Sequence, residues 1–162
     1  MNKRWFIPLL LVLVILAGCA TQQQRAERRE QVRKAVTEAV ANKQLHIDIL
    51  SMSTLRYGSR TVTPDFFLEL RGDTLISYLP YLGQAYLAPM PSPPQGLNFE
   101  APILAMREGR AKDDMSRLEI DVKTDEDSYA YTVEIWDTGK AHIHVRSQHR
   151  DPISFDGEVV VP

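Results

Sequence analysis

The chain has a single cysteine among 162 residues, so no disulfide framework is available to it. It is short of glycine as well, with eight, and no Gly-rich phosphate loop follows a strand, nor is there a Gly-x-Ser-x-Gly elbow. No large excess of charge of one sign is present: the formal net charge is −2, which speaks against a phosphate-backbone ligand and excludes nucleic acid as the expected partner. Long hydrophobic runs are also lacking, the longest being the 13 residues Trp5 to Ala17, interrupted by Pro8 and shorter than the ~20 needed to cross a bilayer. What is present is 44% hydrophobic and 25% charged residues in a length suited to one domain, which excludes a disordered or collagenous chain.

The beginning of the chain has a secretory order. Lys3 and Arg4 form a basic head, the apolar run follows, and Ala17 and Gly18 lead into Cys19. Leu16-Ala17-Gly18-Cys19 resembles the bacterial lipoprotein lipobox, whose Cys becomes the acylated first residue of the mature protein. The resemblance implies a signal peptide over 1–18, a lipidated tether over 19–24 and one globular domain over 25–162. Several acyl chains would supply the two or more membrane signals that stable anchoring requires.

Loss of Lys3 and Arg4 with the leader leaves 17 basic against 21 acidic residues, a mature charge of −4. Val32, Ala35, Val36, Ala39 and Val40 recur at three and four, which predicts an amphipathic helix over 25–44 with Asn42 as its stop. That segment holds Arg25, Arg28, Arg29, Arg33, Lys34 and Lys43 against Glu27, Glu30 and Glu38, a net of +3, so residues 45–162 carry −7. Either the basic helix lies beside anionic headgroups or its charges form an ordinary solvated face.

From Leu45 on, the period becomes two. Leu45, Ile47 and Ile49 alternate with His46 and Asp48, and Leu118, Ile120 and Val122 alternate with Glu119 and Asp121. Phe66, Leu68 and Leu70 do the same with Phe67, Glu69 and Arg71, and Gly72-Asp73 turns the chain into a hairpin. A second hairpin places Tyr129, Tyr131, Val133 and Ile135 opposite Ala141, Ile143 and Val145, with both tyrosines facing the core. The expected fold class is α+β: an N-terminal helix packed on a mostly antiparallel, strongly curved sheet of about seven or eight short strands, with an open β-barrel as the alternative. Six of the ten prolines fall between Tyr78 and Pro102, which rules out a helix or central strand through that stretch.

Gly72-Asp73, then Tyr78-Leu79-Pro80-Tyr81-Leu82-Gly83-Gln84-Ala85-Tyr86, then Gly96-Leu97-Asn98-Phe99, resemble the signature of a domain-of-unknown-function family of small lipoproteins from bacteroidete bacteria. The resemblance spans the helix to the last strand. It implies the envelope placement and the fold, and no activity. Acidic residues after the lipidated Cys, which resemble a surface-export signal in those bacteria, are absent from Ala20 to Gln24, so the expectation is an outer-membrane anchor facing the periplasm.

For chemistry, His142 and His144 share a strand face, with His46 and Asp48 as possible companions, but no third and fourth zinc ligands are identifiable, and the expectation is no metal and no cofactor. Asp121, Asp125, Glu126 and Asp127 lack the Gly and distal Glu of a calcium loop. Arg71-Gly72-Asp73 reads as a turn. The candidate binding surface is the segment Tyr78, Leu79, Pro80, Tyr81, Gly83 and Tyr86, because tyrosine joins apolar area to a hydroxyl and is enriched at interfaces. The expected function is a non-enzymatic envelope lipoprotein that binds an envelope protein through this segment. A small-ligand or carbohydrate binder is the alternative, with an envelope enzyme or inhibitor after it.

Overall fold

The computed structural model describes residues 6–83, 96–112 and 114–160, with side chains from Gln22 onward except Arg25. One helix, α1 (Phe6–Ala41), precedes nine strands: β1 (Gln44–Thr54), β2 (Gly58–Thr61), β3 (Phe67–Arg71), β4 (Thr74–Leu79), β5 (Leu97–Lys112), β6 (Met115–Lys123), β7 (Ser128–Trp136), β8 (Lys140–Ser147) and β9 (Ile153–Val159). All neighbours are antiparallel, in the order β2-β1-β3-β4-β5-β6-β7-β8-β9, and β1 also pairs with β9. That last pairing closes the sheet into a barrel, the expected alternative, but closed rather than open. On its other edge β1 is shared, Gln44–Asp48 pairing with β3 and Ser51–Thr54 with the short flap β2.

Strict alternation fills the barrel. Leu45, Ile47 and Ile49, Leu118, Ile120 and Val122, Tyr129, Tyr131, Val133 and Ile135, and Ala141, Ile143 and Val145 are all buried, as their period predicts. A barrel of eight strands is only wide enough for its own side chains, and Tyr131, Phe155 and the isoleucines occupy it. One polar chain runs through this interior: Tyr131 Oη donates to Ser77 Oγ at 3.0 Å, and Ser77 Oγ donates to the Leu97 carbonyl at 2.7 Å.

The helix crosses one end of the barrel. Val36 and Val40 are buried in the core, and Val32 and Ala39 pack against it. Val32 meets the β7–β8 hairpin at Gly139, where small size and a left-handed backbone (φ 84°) are both required. The helix stops at Ala41, three residues before the expected end and one before Asn42. Lys43 takes the left-handed conformation (φ 50°), its N–H donates to Val40 O at 3.0 Å, and Gln44 already opens β1. Lys43 Nζ then meets Asp73 at 2.6 Å while Gly72 N donates to Lys43 O, so the Arg71-Gly72-Asp73 tip serves as a turn tied to the helix end.

The closure depends on a close approach. Between β1 and β9 the register slips by one at Leu50, and opposite the slip stands Gly157, whose absent Cβ would overlap the Asp48 carbonyl oxygen and lie 3.0 Å from Ile47 Cγ2. Gly157→Ala is therefore expected to lower unfolding free energy by about 1–3 kcal/mol, the usual cost of overpacking. Gly109→Ala, at a position with nothing within 4 Å, is the control expected to be neutral in the same denaturant titration.

Candidate functional site

The six candidate residues separate according to the parity of β4. Leu75, Ser77 and Leu79 point inward and are buried, so Leu79, fully enclosed, belongs to the core. Tyr78 points outward and is 42% exposed. Beside it lie Phe67, its register partner on the outer face, and Phe66, which precedes β3 and packs partly against the core, with ring centroids at 5.8 and 5.6 Å, and His46 stacks on Phe67 at 5.0 Å. The result is a row of four rings across β1, β3 and β4, flanked by Asp48 and Glu69, both within reach of His46 (3.2 and 3.7 Å).

Tyr81 has a different task. Past the end of β4 it is half-buried at the barrel end opposite the helix, where the Arg150 guanidinium lies 5.3 Å from its ring centroid and its hydroxyl donates to Asp151 O at 3.4 Å. Gly83 is pressed so closely on this ring that a Cβ there would stand 2.5 Å from Tyr81 Oη. Arg150, itself buried, donates to Gly96 O at 3.2 Å and to Glu126 at 3.3 Å. Tyr81 and Gly83 thus pack at the barrel end, where their contacts are with Arg150, Asp151 and each other. Pro80 is half-buried at the same edge, and Tyr86 lies outside the described residues.

The acidic turn is structural in the same way. Asp127, 2% exposed at its side chain, accepts from the N–H groups of Ser128 (2.8 Å), Gln148 (3.3 Å) and His149 (3.3 Å) and pairs with His149 Nδ1 at 3.1 Å. It ties the β6–β7 turn to the β8–β9 connection. Neither Arg150 nor the Asp127 knot carries a periodic signal in the sequence, because both sit in polar connections.

The histidines are dispersed. His142 meets Asp156 at 2.7 Å and His144 meets Ser154 at 2.9 Å. Burial, then the nearby Arg146 and His142, holds the His144 imidazole below its ordinary pKa. Among the described residues no group of three or more His, Cys, Asp or Glu is placed to hold a metal ion. The Cys19 backbone lies within α1, and its side chain is outside the described residues.

Burial drives the Tyr131 hydroxyl far above the ordinary phenol pKa, the Ser77 bond opposing in part, and burial raises Tyr129 in the same direction. Tyr131 therefore stays protonated in the folded barrel at pH values where the unfolded chain has already ionised. Its contribution is intact below about pH 10 and declines as pH rises from there towards the folded value, by about 1.4 kcal/mol per pH unit. Tyr131→Phe is expected to remove most of that alkaline slope in denaturant melts, leaving the smaller part due to Tyr129.

Three comparisons with known proteins bear on this architecture. The sequence model of a family described as Domain of unknown function (DUF4251) matches residues 27–159. The fold is similar to the crystal structure of a DUF4251 family protein from Bacteroides eggerthii DSM 20697, with a TM-score of 0.63 at 11% identity, over 82% of this chain and 89% of that one. No curated protein matches the chain.

Proposed function

The chain belongs to the DUF4251 family, and since that membership carries a fold without an activity, we propose from the residues themselves that it is a lipid-anchored, non-enzymatic envelope protein whose barrel binds another envelope protein. The anchor is Cys19, supported by the basic, apolar and small-residue order before it. With no carboxylate from Ala20 to Gln24, the reading places it on the outer membrane facing the periplasm.

The observation that carries the binding role is the outer aromatic row of Tyr78, Phe66, Phe67 and His46. Solvated strand faces rarely spend four rings on water, and aromatic side chains are the residues that dominate protein interfaces. His46 stacks on Phe67 and Phe66 on Tyr78, with interplanar angles of 20° and 28°, and the Phe67–Tyr78 pair between them is tilted at 33°. Rings in contact with one another offer one continuous apolar patch, which suits a protein partner. Asp48 and Glu69 supply a polar, acidic rim.

Two measurements test the two halves of this reading. Cys19→Ser is expected to leave the membrane fraction, and its retention there would sink the anchor. Mild cross-linking and pull-down from native membranes is expected to recover an envelope protein, with recovery reduced about tenfold or more by Tyr78→Ala, a hot-spot truncation of about 2 kcal/mol. Because Tyr78 is exposed, the variant keeps its fold. Undiminished recovery from both Tyr78→Ala and Phe67→Ala would end the binding role, and Tyr81→Ala, which loosens the barrel end, reports on folding.

A further inference from the structure

Across β1 from the aromatic row, towards β9 and β8, the β1 slip has a second effect. Leu50 faces outward by parity, 49% exposed, and the slip sets Ser51 outward beside it, opposite Asp156, while across β9 and β8 Gly157 and Ala141 face inward. Between Leu50 and Trp136 at the end of β7, with the backbone of Gly157 and Ala141 beneath, lies a trough of about 560 Å³. That volume falls within the range of small-molecule sites. Ser51, Thr138, Lys140, Asp156 and Glu158 complete the lining.

The lining has a definite chemistry. One indole and one leucine offer apolar surface, and around them stand two hydroxyls, one ammonium and two carboxylates. Asp156 is held in orientation, meeting His142 Nδ1 at 2.7 Å and accepting from Ser51 Oγ at 3.2 Å. An apolar ligand would strip water from Lys140, Asp156 and Glu158 without replacing its hydrogen bonds. An anionic ligand would meet two carboxylates for one ammonium. A pyranose ring suits all of them: its C–H face packs on the indole, its hydroxyls donate to the carboxylates, and its oxygens accept from Lys140 and the hydroxyls.

The geometry points to a binding site for a neutral saccharide in the trough between Leu50 and Trp136. The site adjoins the aromatic row across β1, Glu158 standing opposite Asp48, but uses different side chains and stands whether or not that row binds a protein. It also carries its own reporter. The chain has two tryptophans, Trp5 and Trp136, so the full-length chain carrying Trp5→Phe has its single indole in the trough.

The test is a titration of Trp136 emission, with calorimetry alongside, using an N-acetylglucosamine trisaccharide and maltotriose as probes. A saturable response to at least one of them is expected, weakened about tenfold or more in Glu158→Gln and in Lys140→Met through loss of one charge-assisted hydrogen bond. Both positions are exposed, so the variants are expected to melt as the parent does. No emission change and no heat up to about ten times a 1 mM dissociation constant, the weak end of ordinary affinities, would overturn the assignment. So would a response equally strong in both variants, or one given only by a short peptide.

Discussion

The pairing of β1 with β9 is the constraint from which the other features follow. A sheet with two free edges has two faces of equal standing. Once β1 joins β9, one face becomes an interior and the other an exterior, and each residue's parity decides its environment. Leu79 is core and Tyr78 is surface for that reason alone, although they are adjacent in the chain. The contact requires Gly157, because the Asp48 carbonyl occupies the space a side chain would take. The same local slip that admits the contact sets Ser51 outward beside Leu50, on one side of the trough that runs to Trp136.

Two ends needed two solutions. At one, a helix with a stripe of small apolar residues lies across the opening, and Val36 and Val40 complete the core. At the other, polar connections must close an apolar interior, and they do so with groups whose hydrogen bonds are met internally: Arg150 against Tyr81, Gly96 and Glu126, and Asp127 under three backbone N–H groups. Burial of a charge is costly unless it is paired, and here each buried charge joins two or more segments distant in sequence. The Leu79-to-Gly83 block contributes to this closure, Leu79 from the core and Tyr81 with Gly83 from the barrel end.

Much of the fold was legible because period two is a direct consequence of strand geometry. Alternation marks β1, β3, β6, β7 and β8, the Gly72-Asp73 turn marks β4, and Tyr129 and Tyr131 face inward as their parity requires, but β5 carries Pro102 within the stretch whose prolines were expected to exclude a central strand. The flap β2 was missed because Gly58-Ser59-Arg60-Thr61 has no apolar member and is fully exposed. Closure was only an alternative, since alternation specifies which face a residue takes and not which strand lies beside it. At the site, β4 parity separates Tyr78 from Leu79, but it stops at the strand end, so Tyr78 and Tyr81 looked equivalent. The trough was invisible for a further reason: its lining joins β1 to β9, β8 and the β7–β8 turn, and alternation does not say that β1 and β9 are neighbours.

The helix that caps the barrel also continues beyond it. From Gln22 to Gln31 every described position but Glu30 is exposed, and the helix is unbroken into Val32, where packing begins. Ten residues at 1.5 Å each give an arm of about 15 Å, and each residue turns the arm by about 100°. Whatever holds the N-terminal side thus sets the azimuth of the barrel as well as its height. Insertion of one residue into the arm would point the aromatic row about a quarter-turn away, whereas insertion of seven would return it nearly to its original bearing, farther out by about two turns of helix.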